Sequence, residues 1–204
     1  MTSRPTGLVA ILRGVTPGEA VAVAEAIFAA GFDAVEVPYN SPDPLESIRR
    51  IRAAGPAGRR VGAGTVLTPD EARRAADAGA SLIVSPNTRP DVVAETVRLG
   101  LESYPGAATP TEAFAALEAG ARAIKLFPSS AVGIDGMRAW ASVLPAGTAL
   151  VPVGGVDAGN LADWARAGAA GAGIGTSLYR PGDPPDVVGV RAGELVRIWS
   201  AAIA

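Results

Sequence analysis

The feature that most constrains the fold is a regular alternation of short apolar runs with alanine-rich amphipathic stretches. Stretches of the second kind, such as Glu19–Ala30, Asp70–Ala78, Thr111–Ala119 and Leu161–Ala167, carry their apolar residues at helical spacing. Strands that alternate with helices are typical of βα units and a parallel sheet. The apolar runs predicted as strands are Leu8–Leu12, Ala34–Tyr39, Arg60–Val66, Leu82–Pro86, Glu102–Ala107, Ala123–Pro128, Ala149–Gly155 and Gly171–Tyr179.

Local signals mark where the predicted helices begin and end. Thr16, Thr68 and Thr109 are each followed by Pro and then, three residues after the threonine, by Glu. This spacing predicts a capping box at three helix starts. Glycines placed just before the next strand predict left-handed C-terminal caps, at Gly31, Gly55, Gly79, Gly100, Gly120 and Gly168.

Eight strand-then-helix units in 204 residues predict an α/β fold, a (β/α)₈ TIM barrel at the short end of that fold's size range. No linker, low-complexity segment or charge run divides the chain, so residues 1–204 are expected to form a single domain. The alternative is an open, doubly wound sheet. That fold would normally have fewer strands at this length, and no G-x-G-x-x-G motif opens the first helix.

Composition excludes several classes of chemistry and partner. The chain has no Cys and no His, which excludes zinc sites, Ser-His-Asp triads and disulfides, and no metal or cofactor is expected. The net charge of −2 argues against nucleic acid and anionic membrane surfaces as partners. The chain contains no long apolar segment, and residues 1–5 lack a signal-peptide core, so a cytoplasmic location is expected.

One basic residue stands apart from the others. The chain has 18 Lys and Arg residues, and Lys125 is the only lysine, set within the apolar run Ala123–Pro128. Arginine stays protonated in proteins, whereas a desolvated lysine loses its proton readily and becomes a nucleophile. A lysine retained by chance, with its charged end reaching solvent, is the alternative. The bias of the composition favours a catalytic amine.

Other polar residues interrupt or end the predicted strands. Arg13 closes the first strand, Glu36 lies within the second, and Thr65 ends the third. In a barrel these side chains and Lys125 would converge at the C-terminal ends of the strands, where active sites form. A structural ion pair between Glu36 and Lys125 would also explain both charges. Because arginine would serve such a pair equally well, the lone lysine favours a catalytic Glu36.

Glycines after the last two predicted strands indicate a phosphate site. Gly154 and Gly155 end the seventh strand, and Gly175 and Thr176 lie where the eighth enters the final βα loop. Barrels commonly bind phosphate at these loops through backbone N–H groups, and the hydroxyls of Thr176 and Ser177 are expected to add donors.

In its motifs the chain resembles the bacterial 2-keto-3-deoxy-6-phosphogluconate and 2-keto-3-deoxy-6-phosphogalactonate aldolases, class I enzymes that form a Schiff base on a (β/α)₈ barrel. The matching segments are Ala10–Gly14, Gly31–Pro38, Gly62–Val66, Ser85–Asn87, Lys125–Pro128 and Gly154–Gly155. The resemblance implies that Lys125 forms the Schiff base and that Glu36 shuttles protons. It also implies that Arg13 and Thr65 contact the acid end of the substrate, that the glycines hold its phosphate, and that the protein is a homotrimer.

Two positions favour the galactonate branch of this family. Asn40 stands where the gluconate branch typically has arginine, and Val153 stands where that branch tends to have threonine. The expected substrate is therefore a phosphorylated keto sugar acid, 2-keto-3-deoxy-6-phosphogalactonate, cleaved to pyruvate and glyceraldehyde 3-phosphate. The 6-phosphogluconate epimer, a phosphosugar isomerase or epimerase on the same barrel, and a non-catalytic phosphate-ligand binder are the alternatives.

Overall fold

The computed structural model describes residues 6–56 and 58–204. Residues 1–5, to which the expectation about a signal peptide refers, lie outside the described part. The strands are β1 (Gly7–Ile11), β2 (Ala34–Pro38), β3 (Arg60–Gly64), β4 (Leu82–Val84), β5 (Glu102–Tyr104), β6 (Gly106–Ala107), β7 (Ile124–Leu126), β8 (Leu150–Pro152) and β9 (Gly171–Ile174). The helices are α1 (Ala20–Ala30), α2 (Pro44–Ala54), α3 (Pro69–Asp77), α4 (Pro90–Arg98), α5 (Pro110–Glu118), α6 (Ser129–Ala141, interrupted at Gly133), α7 (Leu161–Arg166) and α8 (Pro185–Ile203).

The strands form curled parallel sheets surrounded by helices, which makes this an α/β fold. One sheet has the strand order β5-β4-β3-β2-β1-β9, and the other has the order β6-β7-β8. A single bridge between Val153 and Gly173 joins the two sheets after β8. Neighbouring strands follow each other in sequence, and the first strand pairs with the last. This order lacks the reversal that defines a doubly wound sheet, so that alternative is wrong.

The fifth predicted strand, Glu102–Ala107, is divided in the structure. Its first half, β5, pairs with β4, and its second half, β6, pairs with β7 in the other sheet. Pro105 lies between the halves and has no N–H to donate to a neighbouring strand. Its carbonyl still accepts from the Lys125 N–H at 2.9 Å, so the chain passes directly from one sheet to the other.

Two of the three predicted capping boxes are confirmed. Thr68 and Thr109 each accept a hydrogen bond from the N–H of the glutamate three residues on, whose carboxylate accepts from the threonine N–H. The prediction is wrong in part at Thr16. Glu19 does accept from the Thr16 N–H, but its own N–H donates to the Thr16 carbonyl, and α1 begins only at Ala20.

Five of the six predicted C-terminal glycines are left-handed, with φ between +74° and +111° at Gly31, Gly79, Gly100, Gly120 and Gly168. Gly55 is the exception, with φ −70° and ψ 152°. Pro56 follows it, and a residue before proline is driven to extended conformations by contact with the proline ring. The proline after Gly55 therefore overrides the left-handed conformation that a glycine at a helix end usually adopts.

Successive strand residues face opposite sides of the sheet, and this alternation divides the core in two. One cluster, which includes Leu8, Ala10, Val35 and Val37, packs between the sheet and the helices. The other lies on the inner face of the strands and contains Val9, Ile11, Ala34, Leu82, Val84, Tyr104, Ala123, Ala149, Val151 and Val153. Within the described residues, no helix is long and apolar enough to cross a membrane.

Candidate active site

Strand alternation brings Glu36 and Lys125 to the inner face. In β2 the residues Val35 and Val37 face the helices, so Glu36 between them faces inward. In β7 the residues on either side of Lys125 also pack toward the helices. Both charged side chains line one small interior cavity together with Val9, Ile11, Val84, Tyr104, Val151, Val153 and Gly173.

Glu36 is almost completely buried, with 2% of its surface exposed. Its Oε2 atom finds no hydrogen-bond partner among the described residues. A Cβ atom at position 64 would overlap the Glu36 carboxylate, so Gly64 at the end of β3 provides the space that this carboxylate occupies. An unpartnered buried oxygen is costly for stability, which indicates a group retained for chemistry.

Lys125 reaches from this interior into a larger cleft of about 250 Å³. Its Nζ atom lies 4.6 Å from the centroid of the Phe127 ring, which is within the range of a cation–π contact. The ring covers one side of the amine. No ion pair within 4.0 Å joins Lys125 to Glu36 in the described part of the chain. The alternative interpretation of these two residues as a structural ion pair is therefore not supported.

Burial shifts the pKa values of the two groups in opposite directions. Desolvation raises the pKa of Glu36 from 4.5 to about 7, against the opposing effects of the Lys125 and Arg13 charges. Desolvation also lowers the pKa of Lys125, helped by Arg13 and opposed by Glu36. Both shifts favour the neutral forms, which suits an amine nucleophile beside a proton acceptor and donor.

The structure places Arg13 in the cleft, whereas Thr65 is not among the residues that line it. Arg13, two residues beyond β1, lines the cleft, and its Nη1 donates to Asn40 Oδ1 at 2.6 Å. Thr65 directly follows β3 in a left-handed conformation, with φ +56°, which is strained for a β-branched residue. It adjoins the Glu36 pocket through Gly64 but is not among the residues that line the cleft.

The structure brings the four predicted phosphate residues, Gly154, Gly155, Gly175 and Thr176, into the lining of one cleft. Gly154 and Gly155 have φ values of +95° and +82°, which glycine adopts readily. Ser177 also lines the cleft, and its hydroxyl donates to the Val156 carbonyl at 2.8 Å. To donate to a phosphate, this hydroxyl would have to leave the Val156 carbonyl, and its role as a donor stays a prediction.

Several residues of the site were missed from the sequence. Tyr104 and Phe127 line the cavities around Lys125, and Asp157 lines the cleft beside the glycines. Tyr104 lies on the inner face of β5, so a consistent count of inward positions along each strand would have identified it. No local pattern in the sequence indicates Asp157, whose Oδ1 atom accepts from the Gly159 N–H.

Fold and site together define a class: an α/β enzyme with a buried amine and a buried carboxyl on the inner face of parallel strands, beside a glycine-lined cleft. The family of KDPG and KHG aldolases matches residues 2–187. The chain belongs to this family, and the resemblance proposed from the sequence is confirmed.

Individual relatives agree with this assignment. The chain is 47% identical over 196 residues to the 2-dehydro-3-deoxy-6-phosphogalactonate aldolase of Escherichia coli strain K12, covering 96% of each protein. It is also 47% identical over 175 residues to a probable 2-dehydro-3-deoxy-6-phosphogalactonate aldolase of Rhizobium meliloti strain 1021, covering 86% of this chain and 82% of that protein. A solved structure described as native KDPGal superposes with a TM-score of 0.94 at 47% identity and covers 96% of this chain and 95% of that one.

Proposed function

We propose that the protein is a class I aldolase that cleaves 2-keto-3-deoxy-6-phosphogalactonate to pyruvate and glyceraldehyde 3-phosphate. The observation that carries this proposal is the position of Lys125. The only lysine of the chain is buried, its pKa is lowered by desolvation, and it shares an interior cavity with Glu36. The names of the E. coli and R. meliloti relatives support the choice of substrate.

The reaction begins with the neutral amine of Lys125. The amine attacks the C2 ketone of the substrate, and loss of water from the carbinolamine leaves an iminium ion. When the C3–C4 bond breaks, its electron pair moves into the iminium to form an enamine, and glyceraldehyde 3-phosphate leaves. Protonation of the enamine at C3 and hydrolysis of the resulting iminium release pyruvate and restore the free amine.

Glu36 handles the protons of this sequence. Its carboxylate, directly or through a water molecule, accepts the C4 hydroxyl proton as the C3–C4 bond breaks, and it then protonates the enamine. A pKa of about 7 allows the same group to accept and release a proton near neutral pH. The free Oε2 atom is consistent with this role.

Arg13, Thr65 and the glycine loops would bind the two ends of the substrate. Arg13 lines the cleft next to Lys125, and its guanidinium suits the carboxylate of a keto acid. Thr65 is proposed to contact the same end from beside the Glu36 pocket. Gly154, Gly155, Gly175 and Thr176 line the same cleft and are proposed to bind the 6-phosphate.

The second candidate substrate is the 6-phosphogluconate epimer. A 2-dehydro-3-deoxy-phosphogluconate aldolase of Treponema pallidum is 36% identical to this chain over 146 residues. Val153 argues against that epimer as the preferred one. It is buried against both cavities and offers no hydroxyl to bond an epimeric C4 oxygen.

Finer features of the architecture and assembly also belong to this proposal. We propose that the two sheets close into a (β/α)₈ barrel that forms one domain. The bridge between Val153 and Gly173 and the direct passage through Pro105 support the closure. A homotrimer and a cytoplasmic location remain predictions from the sequence.

Borohydride trapping tests the proposed mechanism. Pyruvate plus borohydride is expected to add the reduced pyruvyl group to Lys125 and to abolish activity, because reduction makes the imine irreversible. Peptide mapping of the adduct decides the outcome, and Lys125→Arg serves as the control. An adduct at the N-terminal amine, or none at all, would contradict the mechanism, and an unaffected turnover would favour the isomerase or epimerase.

The choice of epimer is tested by kinetics on both substrates. The kcat/KM of the wild type is expected to favour the galactonate epimer. Val153→Thr is expected to shift the ratio toward the gluconate epimer by roughly two- to tenfold, the worth of one hydrogen bond. A wild type that prefers the gluconate epimer would overturn the substrate assignment and leave the aldolase chemistry intact.

A further inference from the structure

Three consecutive backbone carbonyls beside the glycine-lined side of the cleft each accept a hydrogen bond from a side chain. Ser129 Oγ donates to the Gly154 carbonyl at 2.7 Å, and Asn160 Nδ2 donates to the Gly155 carbonyl at 2.8 Å. The hydroxyl of Ser177 donates to the Val156 carbonyl at 2.8 Å. The three donors come from the start of α6, the residue before α7 and the turn after β9.

Because a peptide group is planar, these contacts to carbonyls also fix the direction of backbone N–H groups. In a planar trans peptide, the C=O and N–H bonds point in opposite directions. A fixed Gly154 carbonyl therefore fixes the Gly155 N–H, and a fixed Gly155 carbonyl fixes the Val156 N–H. Among the described residues, neither of these N–H groups has a backbone or side-chain acceptor. They are preorganised donors next to the cleft.

The anchoring is strongest at Ser129. Its side chain is buried, and its own N–H donates to the Val153 carbonyl at 2.8 Å, so the residue holds the two peptide groups that flank Gly154. Asn160 also makes two contacts, because its Oδ1 atom accepts from the Asp157 N–H at 3.1 Å. The flanking residues Gly154 and Gly155 adopt left-handed conformations and have little intrinsic preference that would hold them in place.

We propose that Ser129 and Asn160 are positioning residues for the phosphate group of the substrate, which orient the N–H groups of Gly155 and Val156 through the carbonyls of Gly154 and Gly155. This inference rests on the proposed function, which supplies the phosphate. Neither side chain touches the phosphate itself in this scheme. Their effect is therefore confined to substrates that carry the group and is absent from imine formation with pyruvate.

The test compares two substrates, 2-keto-3-deoxy-6-phosphogalactonate and the same acid without phosphate. The variants are Ser129→Ala and Asn160→Ala. Each is expected to raise KM for the phosphorylated substrate roughly two- to tenfold, the worth of one hydrogen bond, with kcat nearly unchanged. The KM for the unphosphorylated acid and the yield of borohydride trapping with pyruvate are expected to stay at wild-type values.

Ser142→Ala is the matched control. Ser142 Oγ donates to the Ala139 carbonyl at 2.7 Å, so the variant loses the same type of bond at a site away from the cleft, and its kinetics should equal those of the wild type. Equal losses on both substrates, or no loss on either, would overturn the inference. If Ser129→Ala fails to fold, Asn160→Ala decides alone, because that half-buried side chain can be removed without opening the core.

The wild-type protein separates failure of this inference from failure of the proposed function. A wild type that does not discriminate between the two substrates has no phosphate site, which removes the proposed phosphate role and this inference together. A wild type that discriminates, with Ser129→Ala and Asn160→Ala discriminating equally well, overturns only the positioning role.

Discussion

At the residue scale, one physical cause acts on both reactive groups. Burial disfavours charge, so it raises the pKa of Glu36 and lowers that of Lys125, and in each case it outweighs the attraction between them. A tight ion pair would reverse both shifts and keep the amine protonated. The absence of such a pair between these two described residues therefore suits a nucleophilic amine better than a structural charge pair.

Glu36→Gln is expected to slow turnover by about 10²-fold or more, the usual size of a general acid–base contribution. The amide keeps the shape of the side chain and cannot accept a proton. Steady-state kinetics measures the loss, and trapping with pyruvate and borohydride is expected to retain part of its yield. Unchanged turnover in a folded variant would mean that Glu36 has no catalytic role.

Glu36→Gln is also expected to change how the unfolding free energy depends on pH. The pKa of Glu36 is raised in the folded protein, so its contribution to stability is full below the unfolded value of 4.5 and is lost as the pH rises through about 7. A glutamine at this position does not ionise, so Glu36→Gln removes the decrease in stability that ionisation of Glu36 causes. Relative to the wild type, the variant should gain on the order of 1–3 kcal/mol in unfolding free energy between pH 5 and pH 8.

Urea unfolding of both proteins at the two pH values makes this comparison. The wild type supplies the reference at each pH, so effects of the other titratable groups largely cancel. Parallel pH profiles for the two proteins would show that the carboxyl titrates normally, against the burial argument.

At the element scale, identical local signals have different outcomes. The pattern Thr-Pro-x-Glu forms a complete capping box at Thr68 and at Thr109 but only half of one at Thr16. In the half-formed case the Glu19 N–H donates to the Thr16 carbonyl instead of the side chain, and the Glu19 carboxylate also accepts from the Tyr179 hydroxyl. The Glu19 carboxylate thus keeps its own half of the box and shares one oxygen with Tyr179, and the half that is missing is the bond to the Thr16 hydroxyl.

Alanine substitutions of the three threonines distinguish a complete capping box from a half-formed one. Thr68→Ala and Thr109→Ala should each lower the unfolding free energy by about 1 kcal/mol, because each leaves the N–H of a first-turn glutamate without its acceptor. Thr16→Ala should cost much less, since the bonds made at residue 16 use its backbone. Urea titrations compare the three variants, and equal losses at all three positions would contradict the difference that the structure shows.

At the scale of the whole molecule, two sheets share one continuous interior. The inner cluster of side chains draws on both, with Val9 and Leu82 from the first and Val151 from the second. Glu36 and Lys125 likewise come from different sheets. The proposed active site therefore requires both sheets to be in place at once.

We expect a single cooperative unfolding transition. Trp140, Trp164 and Trp199 are buried on α6, α7 and α8, so their fluorescence reports the C-terminal half, whereas far-ultraviolet circular dichroism reports every helix. The two midpoints should coincide in denaturant. Separate midpoints would indicate two independent units. A midpoint that rises with protein concentration would support the proposed oligomer.

The sequence by itself determined the alternation of strands and helices, two capping boxes and five left-handed caps, and it led to the proposal of Lys125 and Glu36 as the reactive pair. These features follow from periodicity and spacing within a few residues, or from a composition that spares one lysine. Only the tertiary structure decided which hydroxyl donates to which carbonyl, as with Ser177 and Val156 or Ser129 and Gly154. Such contacts join loops more than 20 residues apart, and local sequence patterns carry no information about which distant loop will be the neighbour.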